Sequence, residues 1–319
     1  MLRSILVPLD GSVRAEQSLP VAAHLARSSQ GALHLVRVVD LILEGGIYTT
    51  LQAPYRQEIL DVAGTNAREY LERIASRPLF QGLKVRRMVA MGDPVTQLLD
   101  LIQSSHFDLV ILCSHGYTGL QRWAYGSVAH HLMRQSSVPL LLLHHQNTFT
   151  HTLTERPFQV VIALDGSPFA EASLLPALRL AQAWLTQASR TLQLLQIVPP
   201  PKEDEESSIR RYGLDIDLRS LALTQAQQYL ETKRTQLQQH APKIPIETQV
   251  EESQDIAGAL LEHVQHTTSS NNVVLALTTH GRNFLQRRLL GSVTERIFGH
   301  THQSLLIVHP QPPANAEQS

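Results

Sequence analysis

The sequence predicts an α/β protein that contains the same open, doubly wound parallel sheet twice, with helices on both faces. The segment at 4–12 returns at 160–167, so that Asp10 is matched by Asp165, and a repeat of this length indicates two copies of one unit. Within each copy, short apolar runs alternate with longer helical patterns, which is typical of βαβ units. The run at 109–113 is apolar throughout, as expected for a central strand covered on both faces.

Each copy contains five apolar runs of strand length, and the helices fill the gaps between them. In the first copy we predict strands near 3–8, 32–39, 84–90, 108–113 and 138–143, and helices near 13–28, 55–76, 94–105 and 127–136. In the second copy we predict strands near 159–164, 191–198, 246–250, 273–278 and 304–308.

The 319 residues suffice for two domains. We expect the first domain at 1–144 and the second at 158–309, joined by a linker at 145–157 that lacks periodicity. A polar, proline-containing tail follows at 310–319.

Composition excludes several classes of protein. The longest apolar runs fall far short of the roughly 18 residues that a membrane-spanning helix needs, and the first residues lack a secretory signal. The single cysteine cannot form an internal disulfide, which fits a reducing compartment. A net charge of −1 gives no field to recruit nucleic acid. We therefore predict a cytoplasmic protein without membrane or nucleic-acid partners.

Ligands of open α/β sheets bind beyond the carboxyl ends of the strands, where Asp10 and Asp165 each follow a first strand. A carboxylate at this place can accept hydrogen bonds from ribose hydroxyls or an adenine amino group. The alternative is purely local, because Asp-Gly-Ser also suits a turn and a helix N-cap. For these two residues alone, the local interpretation is the stronger.

A second element recurs after the fourth strand of each copy. Gly116 is followed nine residues later by Gly126-Ser127, and Gly281 is followed by Gly291-Ser292 at the same interval. Glycine lets backbone N–H groups approach a phosphate, and a helix N-terminus attracts anions. The alternative is that both serines are simple N-caps, with Ser292 and Glu295 forming a capping box. Because the spacing occurs twice, we favour phosphate binding.

Two further strand ends carry weaker signals. Val38 and Ile197 end the second strands, where they can pack on an adenine ring or simply belong to the core, and the sequence favours the core. The turn at Gly92-Asp93 in the first copy becomes Gln254-Asp255 in the second.

Other motifs are absent from the sequence. It contains neither a G-x-G-x-x-G dinucleotide fingerprint, nor a P-loop, nor a G-x-S-x-G elbow. Adjacent histidines such as His130-His131 point in different directions, so we predict no metal site. Cys113 is expected to be a small buried hydrophobe rather than a nucleophile.

The Val-Pro-Leu-Asp-Gly-Ser opening at 7–12, the Ser-His-Gly turn at 114–116 and Gly-Ser-Val at 126–128 resemble the universal stress protein family in its tandem, two-domain form. The resemblance covers about 2–144 and 158–309. It implies a sheet order of 3-2-1-4-5 in each copy, and an internal pseudo-dimer in which the two fifth strands pair.

The ATP-binding branch of that family has the pattern Gly-x2-Gly-x9-Gly-Ser/Thr. This sequence keeps the later glycines and the serine but has Cys113 and Thr278 in place of the first glycine, a departure that would weaken binding. Arg282 follows Gly281 and can reach phosphates. The resemblance implies these nucleotide-binding residues: Pro8, Asp10, Val38, Cys113, Gly116, Gly126, Ser127, Val128, Asp165, Ile197, Thr278, Gly281, Arg282, Gly291, Ser292 and Val293.

The resemblance favours a stress-response regulator that binds ATP, with Mg²⁺ entering only as the nucleotide complex, and that does not turn it over rapidly. We expect it to self-associate beyond the internal pair. The alternative is an interaction module of the same fold that needs no nucleotide, for which Cys113 and Thr278 are the best support. A slow ATPase or nucleotidyl transferase is a third alternative. The residues give no indication of the stress or pathway involved.

Overall fold

The chain divides into two compact units, each of which contains one copy of the repeat. In this computed structural model one unit comprises Met1–Leu153 with Ala183–Leu185, and the other comprises Thr154–Gln182 with Thr186–Ser319. The structure describes residues 1–40, 53–114, 126–144, 155–184, 189–203, 216–268, 272–279 and 291–310.

Unit one alternates strands and helices along the chain. Its strands are β1 (Ser4–Pro8), β2 (Ala32–Val39), β3 (Lys84–Met91), β4 (Leu109–Ser114) and β5 (Leu140–His144). Its helices are α1 (Val13–Glu16), α2 (Leu19–Ser29), α3 (Ala53–Ala75), α4 (Pro94–Ser104) and α5 (Ser127–Gln135), with a 3₁₀ turn at Pro78–Phe80.

Unit two repeats this order of elements. Its strands are β6 (Phe158–Leu164), β7 (Arg190–Val198), β8 (Ile246–Glu252), β9 (Asn272–Thr278) and β10 (Ser304–Val308). Its helices are α6 (Pro168–Glu171), α7 (Leu174–Ala183), α8 (Leu218–His240), α9 (Ile256–Thr268) and α10 (Ser292–His300).

The predicted strand order is confirmed in both units. Unit one has the order β3-β2-β1-β4-β5, and unit two has the matching order β8-β7-β6-β9-β10. All strand pairs within each unit are parallel. The first strand of each unit therefore lies between the second and the fourth, and the carboxyl ends of these three strands meet at the switch point where ligands of such sheets bind.

The core of unit one is centred on β1. Ile5 is fully buried, and it lies between Leu33 of β2 and Leu109 of β4, which are also buried. The helices supply the covering layers, among them Leu25 of α2 and Leu71 of α3, both fully buried. Because both faces are covered, the strands are nearly continuous apolar runs rather than alternating ones.

The prediction of one helix over 13–28 is wrong, because the segment forms two helices, α1 and α2. Pro20 lies in the first turn of α2, where it has no N–H to bond the carbonyl of Glu16 and its ring would collide with that carbonyl. The hydroxyl of Ser18 instead donates to the carbonyl of Ala15 at 2.6 Å. The same break separates α6 from α7, and there the hydroxyl of Ser173 donates to a carbonyl at 2.7 Å.

In the part of the chain that the structure describes, no helix combines the length and apolarity that crossing a bilayer demands.

Candidate functional site

The turn after the first strand of each unit has the same hydrogen bonding. Oδ1 of Asp10 accepts from the backbone N–H of Ser12 at 2.8 Å, and Oδ1 of Asp165 accepts from Ser167 at 2.9 Å. Each serine hydroxyl then caps the following short helix by accepting from the N–H three residues further on. The local interpretation of Asp-Gly-Ser is thus correct for one carboxylate oxygen of each aspartate. Asp10 is exposed and Asp165 is half-buried.

An arginine lies directly against this turn in unit one. Gly11 has a φ of +84°, which favours glycine, and a Cβ built on it would collide with Nη1 of Arg37. In unit two the corresponding position of the second strand is Gln196, which is 6% exposed and whose Oε1 has no hydrogen-bond partner among the described residues. Unit one therefore has a cation beside Asp10, and unit two has a buried amide at the equivalent register.

The second strands end close to this turn. Val36 of β2 pairs with Pro8, which is half-buried. Val38 is also half-buried, whereas Ile197 in unit two is 6% exposed. Val38 thus retains accessible surface on which a ring can pack, while Ile197 belongs to the core.

Cys113, at the end of β4, lies within electrostatic reach of Asp10. Its Sγ is 3.7 Å from Oε1 of Gln17, a contact in which the thiol donates. Burial raises the pKa of the Cys113 thiol to about 11, while Arg14 acts against this shift and Asp10 adds to it. The thiol is therefore protonated at neutral pH, which agrees with its predicted inertness.

Glycine, not serine, is the N-cap of the helix that follows the fourth strand in both units. The N-cap residues are Gly126 of α5 and Gly291 of α10, and neither helix has a side-chain cap. The alternative in which Ser127 and Ser292 are caps, with a capping box to Glu295, is wrong, because both serines are the first helical residues. Their side chains are exposed, and those of Val128 and Val293 are half-buried. The first N–H groups of both helices thus have no side-chain acceptor within the helix.

In unit two this helix start is attached to the end of the fourth strand. The N–H of Gly291 donates to the carbonyl of Thr279 at 2.7 Å, and Oγ1 of Thr294 donates to the carbonyl of Thr278 at 2.8 Å. The start of α10 thus lies at the end of β9, which carries Thr278. Thr278 itself is only 8% exposed. The predicted site residues Gly116, Gly281 and Arg282 lie outside the described residues.

The turn that leads from the third strand into the following helix, α4 or α9, also differs between the units. Asp93 caps α4 by accepting from both the N–H and the hydroxyl of Thr96, and these bonds lower the pKa of its carboxyl group. Asp255 accepts from the N–H of Gly258 and forms a two-pronged ion pair with Arg296 of α10, at 2.5 and 2.7 Å. The position of Arg296 is occupied in unit one by His131, which is near enough to Asp93 to lower the pKa of that carboxyl further.

The ion pair between Asp255 and Arg296 should make part of the stability of unit two depend on pH. The hydrogen bonds from Arg296 and then from Gly258 lower the pKa of Asp255 below its ordinary value of 3.8. A group with a lowered folded-state pKa stabilises the fold at neutral pH, and this contribution is lost as the pH falls below 3.8 and through the folded-state pKa.

We expect the thermal midpoint of Asp255→Asn to fall less between about pH 4 and about pH 2 than that of the parent protein. Calorimetry at intervals of pH measures this difference. Glu262→Gln removes an exposed acid from α9, the helix that follows Asp255. This variant is the control and should keep the parental dependence of the thermal midpoint on pH. An Asp255→Asn slope equal to the parental one would contradict the expectation.

Sequence reasoning missed a partly buried cluster that occurs in both units. In unit one, Glu16 accepts from the hydroxyl of Tyr70 at 3.1 Å and from Arg77 at 2.7 Å. In unit two, Glu171 accepts from Tyr229 at 3.3 Å and from Lys233 at 2.7 Å.

Burial, and secondarily Glu16, raises the pKa of Tyr70, which therefore keeps its proton. The guanidinium of Arg37 lies 5.1 Å from the Tyr70 ring centroid, so this cluster holds the cation that abuts Gly11. Its sequence signal is a glutamate six residues after the aspartate in both copies.

No group of three or more histidine, cysteine or acidic side chains suited to a metal ion occurs in the described ranges.

Comparison with known proteins bears on the whole length of the chain. The sequence model of the universal stress protein family matches residues 1–144 and 158–309. A universal stress protein of Mycolicibacterium smegmatis is 22% identical over 322 residues, covering 96% of this chain and 97% of that one. Universal stress protein YxiE of Bacillus subtilis is 26% identical over 149 residues, covering 45% of this chain and 99% of its own.

Among solved structures, a universal stress protein from Archaeoglobus fulgidus has a TM-score of 0.65 at 16% identity, covering 97% of this chain and 98% of that one. At this level of identity, the likeness shows a shared fold and nothing more.

Proposed function

The chain belongs to the universal stress protein family, and from this premise we propose that it is a stress-response regulator that binds an adenine nucleotide, ATP in particular, without rapid turnover. The observation that carries the proposal is the pair of glycine-capped helix starts at Gly126 and Gly291. In both units the N-cap residue is a glycine, so it has no side chain that could accept from the N–H groups of the first turn.

The phosphate end of the nucleotide fits these helix starts for a physical reason. The unpaired N–H groups and the positive end of the helix dipole favour negative charge by about 0.3–1 kcal/mol at exposed sites, and more where water is excluded. The exposed hydroxyls of Ser127 and Ser292 add donors at the same place. We assign the phosphates to these two positions in the respective units.

The ribose end fits the turn after the first strand. One oxygen of Asp10 is used by Ser12, and the carboxylate is exposed, so it can accept further hydrogen bonds from hydroxyl groups. Val38 and Pro8 offer half-buried apolar surface for a base. In the Mg²⁺ complex of ATP the metal would arrive with the phosphates.

We propose unit one as the stronger site. Among the described residues, Arg37 lies against the turn at Gly11, and the second strand of unit one retains accessible apolar surface at Val38. In unit two the corresponding residues are the buried Gln196 and Ile197. A cation at this turn attracts the phosphates.

A second candidate function is a nucleotide-independent interaction module. The observation that favours it is the half-buried side chain of Cys113 at the place where the ATP-binding branch has glycine. If this side chain fills the space of the ribose or phosphates, the fold remains and the ligand is lost.

The test is to purify the protein without added ligand, denature it, and quantify the released nucleotide by chromatography. The stripped protein is then titrated with adenosine, AMP and ATP by calorimetry. We expect ATP in the released fraction and an affinity that increases from adenosine to ATP, because each phosphate adds contacts at a helix start.

Absence of released nucleotide, together with no binding below the millimolar range, would favour the interaction module. Multiple-turnover phosphate release that disappears in Asp10→Ala would instead show an ATPase.

A further inference from the structure

A cavity of about 870 Å³ opens in unit one at the opposite end of β1 from Asp10. It is bordered by the first residues of β1, by β2 and β3, and by the turn that precedes β4, with Ser4, His34, Arg86 and Phe107 among its lining residues. This volume is in the range of small-molecule sites, roughly 300–1,000 Å³. The cavity is separate from the candidate nucleotide site.

The charge of the cavity is positive. Arg3, Arg86, Arg87 and His106 contribute to its lining, and none of the described residues that line it is acidic. Arg87 forms an ion pair with Glu72, whereas Arg3 and Arg86 have no acidic partner within 4 Å in the part of the chain that the structure describes. Two guanidinium groups thus remain available to a ligand.

The acid closest along the chain to the residues that line the cavity is Asp108, which directly precedes β4. Oδ2 of Asp108 accepts from the backbone N–H groups of Arg3 and Ser4, at 2.7 and 3.0 Å. These bonds fix the start of β1, and within the described ranges no ion pair joins this carboxylate to the guanidinium of Arg3 or Arg86.

His34 forms an ordered polar wall of the cavity. It is 9% exposed, its Nε2 lies 3.1 Å from the hydroxyl of Ser4, and its ring meets Phe107 edge-on with centroids 5.1 Å apart. Burial, and then the charge of Arg86, lowers the pKa of His34. The imidazole is therefore mainly neutral at pH 7.

At the register of His34, unit two has a network of hydrogen-bonded side chains instead. Gln193, which occupies the position of His34 in the repeat, is bonded to Gln249 at 2.7 Å and to His263 at 2.9 Å. His263 is bonded in turn to Glu251 at 2.6 Å. This network pairs its polar groups internally and contains a carboxylate. Among the residues that the structure describes, the repeat positions of His34 and Arg86 are occupied in unit two by Gln193 and Glu247, so the cationic lining is not repeated there.

We propose that this cavity binds a small organic phosphate. A phosphate dianion matches two unpaired guanidinium groups, whose forked donors suit its oxygens. Val85, Met88 and Phe107 give the cavity an apolar wall, which suits an organic body attached to the phosphate rather than inorganic phosphate. The inference does not depend on the proposed nucleotide site.

The experiment uses 1-naphthyl phosphate, a fluorescent probe with both features, and 1-naphthol as its uncharged counterpart. We expect saturable binding of the phosphate to the full chain, and at least tenfold weaker binding to the double variant Arg3→Gln, Arg86→Gln. Lys84→Gln is the matched control, since it removes an exposed cation from the same strand outside the cavity. It should keep the parental affinity.

A second comparison separates this cavity from the nucleotide site. The probe should bind Gly126→Glu, Gly291→Glu protein with parental affinity, because those substitutions lie at the helix starts. The proposal is overturned if binding does not saturate, if the double arginine variant binds as the parent does, if 1-naphthol binds as tightly, or if the glycine variants lose the probe.

Discussion

Replacing Gly126 with glutamate is expected to weaken ATP binding by unit one at least 100-fold, or by about 2.7 kcal/mol. The new carboxylate would lie at the N-cap of α5, where it competes for the N–H groups and repels the phosphates. Gly126 has φ −58° and ψ 150°, a backbone conformation that any residue adopts. The substitution should therefore leave the fold intact, so that a loss of binding reports on the site.

The matched variants distinguish charge from bulk and unit one from unit two. Gly126→Ala adds a methyl group without charge and should bind within a fewfold of the parent protein. Gly291→Glu makes the equivalent change in α10 and should remove the binding of unit two. Calorimetry with ATP on all three proteins measures both effects. Unchanged ATP affinity in a protein carrying both glutamates would exclude the helix starts as phosphate sites.

Truncating the centre of β1 is expected to cost the most stability of any single change considered. Ile5→Ala removes three carbon atoms from a side chain that is fully buried between Leu33 and Leu109. Strands on either side and helices on both faces prevent the site from collapsing, so we expect a loss of about 3 kcal/mol from lost burial and the remaining cavity.

Urea unfolding followed by circular dichroism measures this loss as a lower midpoint with an unchanged slope. Val62→Ala, at a helical position of α3 that is 55% exposed, should change the free energy of unfolding by less than about 0.5 kcal/mol. If the two variants lose similar stability, β1 is not the centre of the core.

The sequence predicted those features that depend on local patterns. Apolar runs located every strand that the structure describes, and the duplicated Asp-Gly-Ser and Gly-Ser-Val segments located the switch point. The break between α1 and α2 also has a cause in the sequence, which is Pro20. A proline is equally common in the first turn of a single helix, so Pro20 alone does not predict that a separate helix precedes it. The N-cap at Gly126 was missed because serine is the more common cap.

Features that depend on tertiary contacts were beyond prediction from sequence. The cluster of Glu16 with Tyr70 and Arg77 joins residues 54 and 61 positions apart, and no local pattern specifies such a contact. The cationic cavity likewise combines Arg3 with Arg86, which line one cavity only because β1 and β3 flank β2. The sequence shows that the two copies differ, with Gln196 in place of Arg37 and Arg296 in place of His131. Only the structure shows what these residues contact, because that depends on the register of the strands.

The difference between the cavity of unit one and the glutamine network of unit two has a consequence for stoichiometry. In an assembly of identical single-domain chains, every kind of site occurs once per domain, so the numbers of any two kinds are equal. Here the glycine-capped helix start occurs twice, at Gly126 and Gly291, whereas within the described ranges the cationic cavity is a feature of one unit. Duplication within one chain thus allows two kinds of candidate site to occur in a ratio of two to one, whereas identical single-domain chains carry equal numbers of any sites that lie within a domain.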